Sequence, residues 1–88
     1  MITTEERIAA KCRDITDFLI EKNSQYGDAY SCGVKVFSQI SAQERIRARI
    51  DEKLNRMAVG VNNTEDTEWD LVGLLIHLLI QRDIANGK

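Results

Sequence analysis

Residues 65–80 read EDTEWDLVGLLIHLLI, and the way this stretch has to be buried decides the fold. Three acids stand in its first four residues, and eight of the ten residues from Leu71 to Ile80 are large and apolar. Wound as a helix, Leu71, Val72, Leu75, Leu78 and Leu79 form the centre of one face. Leu74 extends that face on one side, Ile76 and Ile80 on the other. A surface helix needs an apolar stripe only about 100° wide. Here the polar remainder is a narrow strip of Asp66, Asp70, Gly73, His77 and Gln81. Such a helix has to be wrapped by others, from its own chain or a second copy. The stretch therefore predicts a helix over about 65–85 and a homo-oligomer joined through residues 69–84. Its polar strip is either a wet edge or the wall of a site.

Upstream, Ser41-Ala42-Gln43-Glu44 is a capping box opening a helix over about 42–58, with Ile46, Ile50, Leu54 and Met57 as its core stripe. Arg45, Arg49, Lys53 and Arg56 run along one flank; Asp51 and Asn55 lie on the other. Gly60 suits a helix C-cap. At the N-terminus, Thr3-Thr4-Glu5-Glu6 is a second capping box, followed by Ile8, Cys12, Ile15 and Leu19 at helical spacing, which predicts a helix over about 4–22. Asn23, Ser24, Gly27 and Asp28 favour turns. Residues 23–41 read as an irregular loop, or one holding a short extra helix. Val34-Lys35-Val36 alternates like a strand, yet no second strand pattern exists for it to pair with. The expectation is one all-α domain over 1–88: a three-helix bundle, four with the extra helix, completed by oligomerisation.

Composition narrows the function. Eighty-eight residues form a small core, which makes oligomerisation a reasonable expectation by itself. A net charge of −2 argues against general nucleic-acid binding. The longest apolar run is about half a membrane span and contains His77, so no membrane helix is expected. No signal peptide is evident, and a cytoplasmic location is expected. Two cysteines, Cys12 and Cys32, are too few for a disulfide framework, and Cys12 reads as a buried thiol on an apolar stripe.

Glycine-rich phosphate loops are absent, and one histidine with two distant cysteines cannot make a Cys/His zinc site. Carboxylates remain. Asp66 and Asp70, four apart on one helical face, could hold a hard cation such as Mg²⁺ with Asp51 of the preceding helix as third ligand. Acids in a first helical turn also complement the helix dipole with no further role. The edge of Arg45, Arg49, Lys53 and Arg56 suits phosphates, or is a solvated flank. Lys22 and Tyr26 flank a turn that could clamp a base or phosphate. His77 is a general-base candidate, although a packing histidine explains it equally. Trp69 is expected to cover a helix–helix seam.

Taken together, KNSQYGD at 22–28, RIDEKLNRM at 49–57 and EDTEWDLVGLLIHLLI at 65–80 resemble the phage and prophage nucleotide-modification-associated helical domain family. The pattern is a K-N-x-x-Y-G turn before an R-I-x-x-K-L-x-R helix and an E-D-x-x-x-D-L helix. Beyond it the chain is distantly similar to the all-α nucleoside triphosphate pyrophosphohydrolases, which hold Mg²⁺ with ExxE and ExxD motifs. Here those places carry Asp51-Glu52 and Glu65-Asp66 with Asp70. The resemblance implies a phage-type nucleotide-binding protein of nucleotide metabolism or base modification, open to Mg²⁺-dependent chemistry on nucleoside phosphates and working in the host cytoplasm if phage-encoded. It places phosphate contacts at Lys22, Asn23, Tyr26, Asp28, Arg49, Lys53 and Arg56, and Mg²⁺ at Asp51, Asp66 and Asp70. The competing expectation is a non-enzymatic helical oligomer that binds a protein or sequesters a nucleotide.

Overall fold

The computed structural model describes residues 1–25, the backbone of Tyr26, and residues 40–60 and 66–88. Three helices make up the described chain: α1 (Thr4–Tyr26), α2 (Ala42–Val59) and α3 (Asp66–Ala85), with no strand among the described residues. The all-α reading holds. Expectations that fall on residues 27–39, including Gly27, Asp28, Cys32 and the Val34–Val36 alternation, lie outside the described residues, as does Glu65.

Both N-terminal caps form as their residues require. The Glu6 amide donates to Thr3 Oγ1 at 3.1 Å, and the Glu44 amide to Ser41 Oγ at 3.1 Å, each satisfying an amide that the first helical turn leaves over. The Glu44 carboxylate pairs with Arg47. Gly60 closes α2 at φ 68°, its amide reaching the Arg56 carbonyl at 3.1 Å.

The two chain-terminal helices depart from expectation at their C-terminal ends. α1 continues through Asn23 to Tyr26 instead of stopping near residue 22. Gln25 Nε2 donates to Glu21 Oε1 across that added turn, so turn-favouring side chains do not end a helix that can still extend. The last three residues, whose terminal position favours fraying, cap α3 instead. Lys88 donates to the Asp83 carbonyl at 2.8 Å and Gly87, at φ 79°, to that of Ile84 at 3.1 Å. This is the Schellman arrangement, with glycine at the left-handed position.

α3 packs against both other helices. On the α2 side, Ile46, Leu74 and Leu78 are the buried apolar residues, with Ile50 against them. On the other side α1 crosses at Gly73, where a Cβ would lie 2.8 Å from Leu19 Cδ2. Phe18 and Trp69 meet edge-on beside this crossing at 5.2 Å, and the Lys11 ammonium sits 5.5 Å from the Trp69 ring centroid. Trp69 thus covers a helix seam, as its size and amphipathic ring suggest.

The side of α3 that faces inward differs from the one its apolar pattern indicates. Thr67, Gly73, Leu74 and Leu78 are buried and Asp70 and His77 half-buried, whereas Val72, Leu75 and Leu79 from the centre of the apolar face are exposed. Two features of the strip reverse the helix: Gly73 admits close approach by α1, and Asp70 attracts cations from both neighbours. The α2 stripe is likewise only half used, Leu54 and Met57 being exposed, and so are Ile8 and Cys12 of α1. Cys12 is therefore not the buried thiol its stripe implied.

Candidate functional site

Asp70 is where the three helices are tied together. Lys53 of α2 places its ammonium 3.2 Å from Asp70 Oδ2, and Lys22 of α1 places its own 3.5 Å from Oδ1. The Lys53 side chain is 11% exposed and that of Asp70 26%, so this half of the pair is shielded from water; Lys22 is more open. Lys22 also lies 4.9 Å from the Phe18 ring centroid, a cation–π position that limits where its stem can go.

Around this hub is an open cleft of about 500 Å³, bounded by all three helices. Lys22 and Asn23 reach it from the last turns of α1, Arg45 and Arg49 from successive turns of α2, and Asp70 and His77 from α3. Its floor is apolar, with Phe18, Leu19 and Leu74. Three cationic side chains and one carboxylate give the lining an excess of positive charge. Guanidinium and ammonium groups of this kind can bind a phosphate or carboxylate group through charge-assisted hydrogen bonds.

Of the residues expected to bind phosphate, Lys22, Asn23 and Arg49 come together in this cleft. Lys53 stands behind it, engaged with Asp70. Arg56 is exposed on α2 and does not line it. Tyr26 ends α1, its side chain outside the described part, and Asp28 is not described. Arg45 enters as an addition. It stands one turn before Arg49 on the basic edge, and that edge was the signal for it.

The expected metal ligands are not brought together. Asp51 and Asp66 are exposed, and neither lines the cleft with Asp70. Among the described residues no group of three His, Cys, Asp or Glu side chains is placed to hold a metal ion. Asp70 instead directs both oxygens at ammonium groups, an arrangement that competes with a cation for the same lone pairs. The three carboxylates do not fit a Mg²⁺ centre.

Similarity to known proteins adds no constraint. No family model, curated protein or solved structure matches this chain. The family resemblance therefore stands on its three segments, and the cleft on its geometry.

Proposed function

We propose that this chain is a nucleotide-binding protein of nucleotide metabolism or base modification, and that it takes nucleoside phosphates in the cleft around Asp70. The observation that carries this reading is the convergence of Lys22, Asn23 and Arg49, separated in sequence by up to 27 positions, on one cleft with Arg45. A volume of about 500 Å³ suits a nucleotide-sized ligand, since ligand clefts commonly measure about 300–1,000 Å³. In this reading the arginines take the phosphates.

Mg²⁺ enters this reading as an ion brought in on the phosphates, with water completing its coordination. A second reading, in which the protein sequesters a nucleotide or binds a partner protein as a helical oligomer, draws on the exposed leucines of α3.

The test is thermal unfolding with nucleoside mono- and triphosphates, with and without Mg²⁺. A bound nucleotide at ten times its Kd stabilises by about 1.4 kcal/mol, which at about 4–8 °C per kcal/mol shifts Tm by several degrees. Arg49→Ala and Arg45→Ala should each reduce the shift. If no nucleotide moves Tm, the reading is wrong. A nucleotide that binds and stays intact on long incubation favours sequestration over catalysis.

A further inference from the structure

The two ammonium groups on Asp70 sit in different settings. Lys53 reaches Oδ2 at 3.2 Å from behind the cleft, its side chain 11% exposed. Lys22 reaches Oδ1 at 3.5 Å from within the cleft lining, its side chain 46% exposed. The first pair is the shorter and is shielded from water. The second is longer and wet, and ion pairs of that kind hold weakly. Lys22 also stands 4.9 Å from the Phe18 ring centroid, so its ammonium has a second contact in the same lining. When Lys22 leaves, Asp70 keeps a counter-charge in Lys53. A second cleft, the apolar groove between α1 and α3, has no Asp, Glu, Lys or Arg in its lining. Of the two, the cleft around Asp70 is the one that offers an anion an ammonium.

We propose that Lys22 is the exchangeable cation of this cleft and that Asp70 is a built-in competitor for it. An entering phosphate takes the Lys22 ammonium from Asp70 Oδ1, while Lys53 stays on Oδ2. The proposal rests on the reading that nucleoside phosphates bind here. Exchange of this kind selects by charge. A carboxylate or a phosphodiester carries one negative charge, so it replaces Asp70 at Lys22 like for like and gains little. A terminal phosphate monoester carries about −1.5 to −2 at neutral pH and has three acceptor oxygens, so it outcompetes the carboxylate. The ligand class is therefore a nucleotide with a terminal phosphate, in preference to a cyclic or internal diester. The exchange also fixes the sign of the Asp70 contribution. Asp70 lowers anion affinity, the opposite of a carboxylate that holds a ligand directly or through a metal ion.

The probes are nucleoside 5′-monophosphates and the 3′,5′-cyclic diesters of the same nucleosides, titrated at neutral pH. Wild type should bind the monophosphate more tightly than the cyclic diester. Asp70→Asn keeps the size of the side chain and one acceptor oxygen for Lys53. It should bind the monophosphate roughly two- to fivefold more tightly than wild type, the fold-change that matches release of one exposed ion pair. A second measurement needs no variant. Acylation of Lys22, read by peptide mass spectrometry, should slow by roughly fivefold or more with the monophosphate at ten times its Kd. Lys11, exposed on the same helix, should keep its rate. If Asp70→Asn loses its helical circular dichroism, Lys22 acylation in wild type decides. Equal or weaker binding by a folded Asp70→Asn overturns the inference, as does Lys22 acylation unchanged by bound monophosphate, or a preference for the cyclic diester. In each of those cases the wild type still binds, so the reading of the cleft survives. If no monophosphate binds either protein, both fail together.

Discussion

Asp70 accepts from two ammonium groups that differ in exposure, and the difference predicts an asymmetric mutational response. Removing the carboxylate leaves Lys53, with a side chain only 11% exposed, without the anion that offsets its desolvation. Removing Lys53 leaves Asp70 still paired with Lys22. Asp70→Ala should therefore cost about 2–3 kcal/mol, near the penalty for stranding a shielded charge. Lys53→Met, which keeps the buried stem, should cost less, and Lys22→Ala about 0–1 kcal/mol, as for an exposed pair. Urea unfolding of the three variants at one protein concentration would check the order. Equal losses for Asp70→Ala and Lys22→Ala would show that the shielded pair is not what holds α2 to α3. Gly73 gives a second residue-scale expectation. Its missing Cβ would stand 2.8 Å from Leu19 Cδ2, and a terminal methyl can move, so Gly73→Ala should be close to neutral as helix propensity offsets the shift. Gly73→Leu has no such escape and should cost about 1–3 kcal/mol by forcing α1 outward.

At the scale of elements, α3 explains why some of the chain was legible and some was not. Caps are local, so Thr3, Ser41 and Gly60 could be read from a few adjacent residues and take the places those residues dictate. Substituting alanine for Gly60 or Gly87, both held at positive φ with open space around the missing Cβ, should destabilise by about 1 kcal/mol through backbone strain alone. Differential scanning calorimetry of each variant would measure it. The orientation of α3 is not local. Its large residues occupy nearly the whole circumference, so periodicity cannot choose which arc turns inward. That choice goes to the arc where Gly73 admits Leu19 and where Asp70 meets Lys22 and Lys53, interactions with partners 48 and 17 positions away. The same step takes Asp70 out of an expected carboxylate set and into an ion-paired hub.

For the whole molecule, occupation of either of the two adjoining clefts would raise stability by mass action. If the chain pairs through α1 and α3, Tm should rise with protein concentration, and Ile20→Glu should remove that dependence. Calorimetric scans over a roughly hundredfold concentration range would show it, and a constant Tm would mean that folding needs no partner. Leu19, Asn23 and His77 line both the apolar groove between α1 and α3 and the cationic cleft, so the two share a wall. No helix among the described residues is long and apolar enough to cross a membrane, which agrees with the short apolar run of α3.

By itself, the sequence determined the helical class, the starts of α1 and α2, the αL glycine at Gly60 and the excess of apolar surface on α3, because each depends on periodicity or on residues a few positions apart. Lys22, Asn23 and Arg49 could be named in advance as candidate site residues, and Arg45 belonged visibly to the same basic edge. Only the tertiary structure decided that these four share a cleft, that Asp51, Asp66 and Asp70 form no three-ligand group, and that Leu75 and Leu79 face outward. Those outcomes follow from the packing of three helices against one another. Close approach at a single glycine and the pairing of one shielded carboxylate select that packing from among the faces α3 offers.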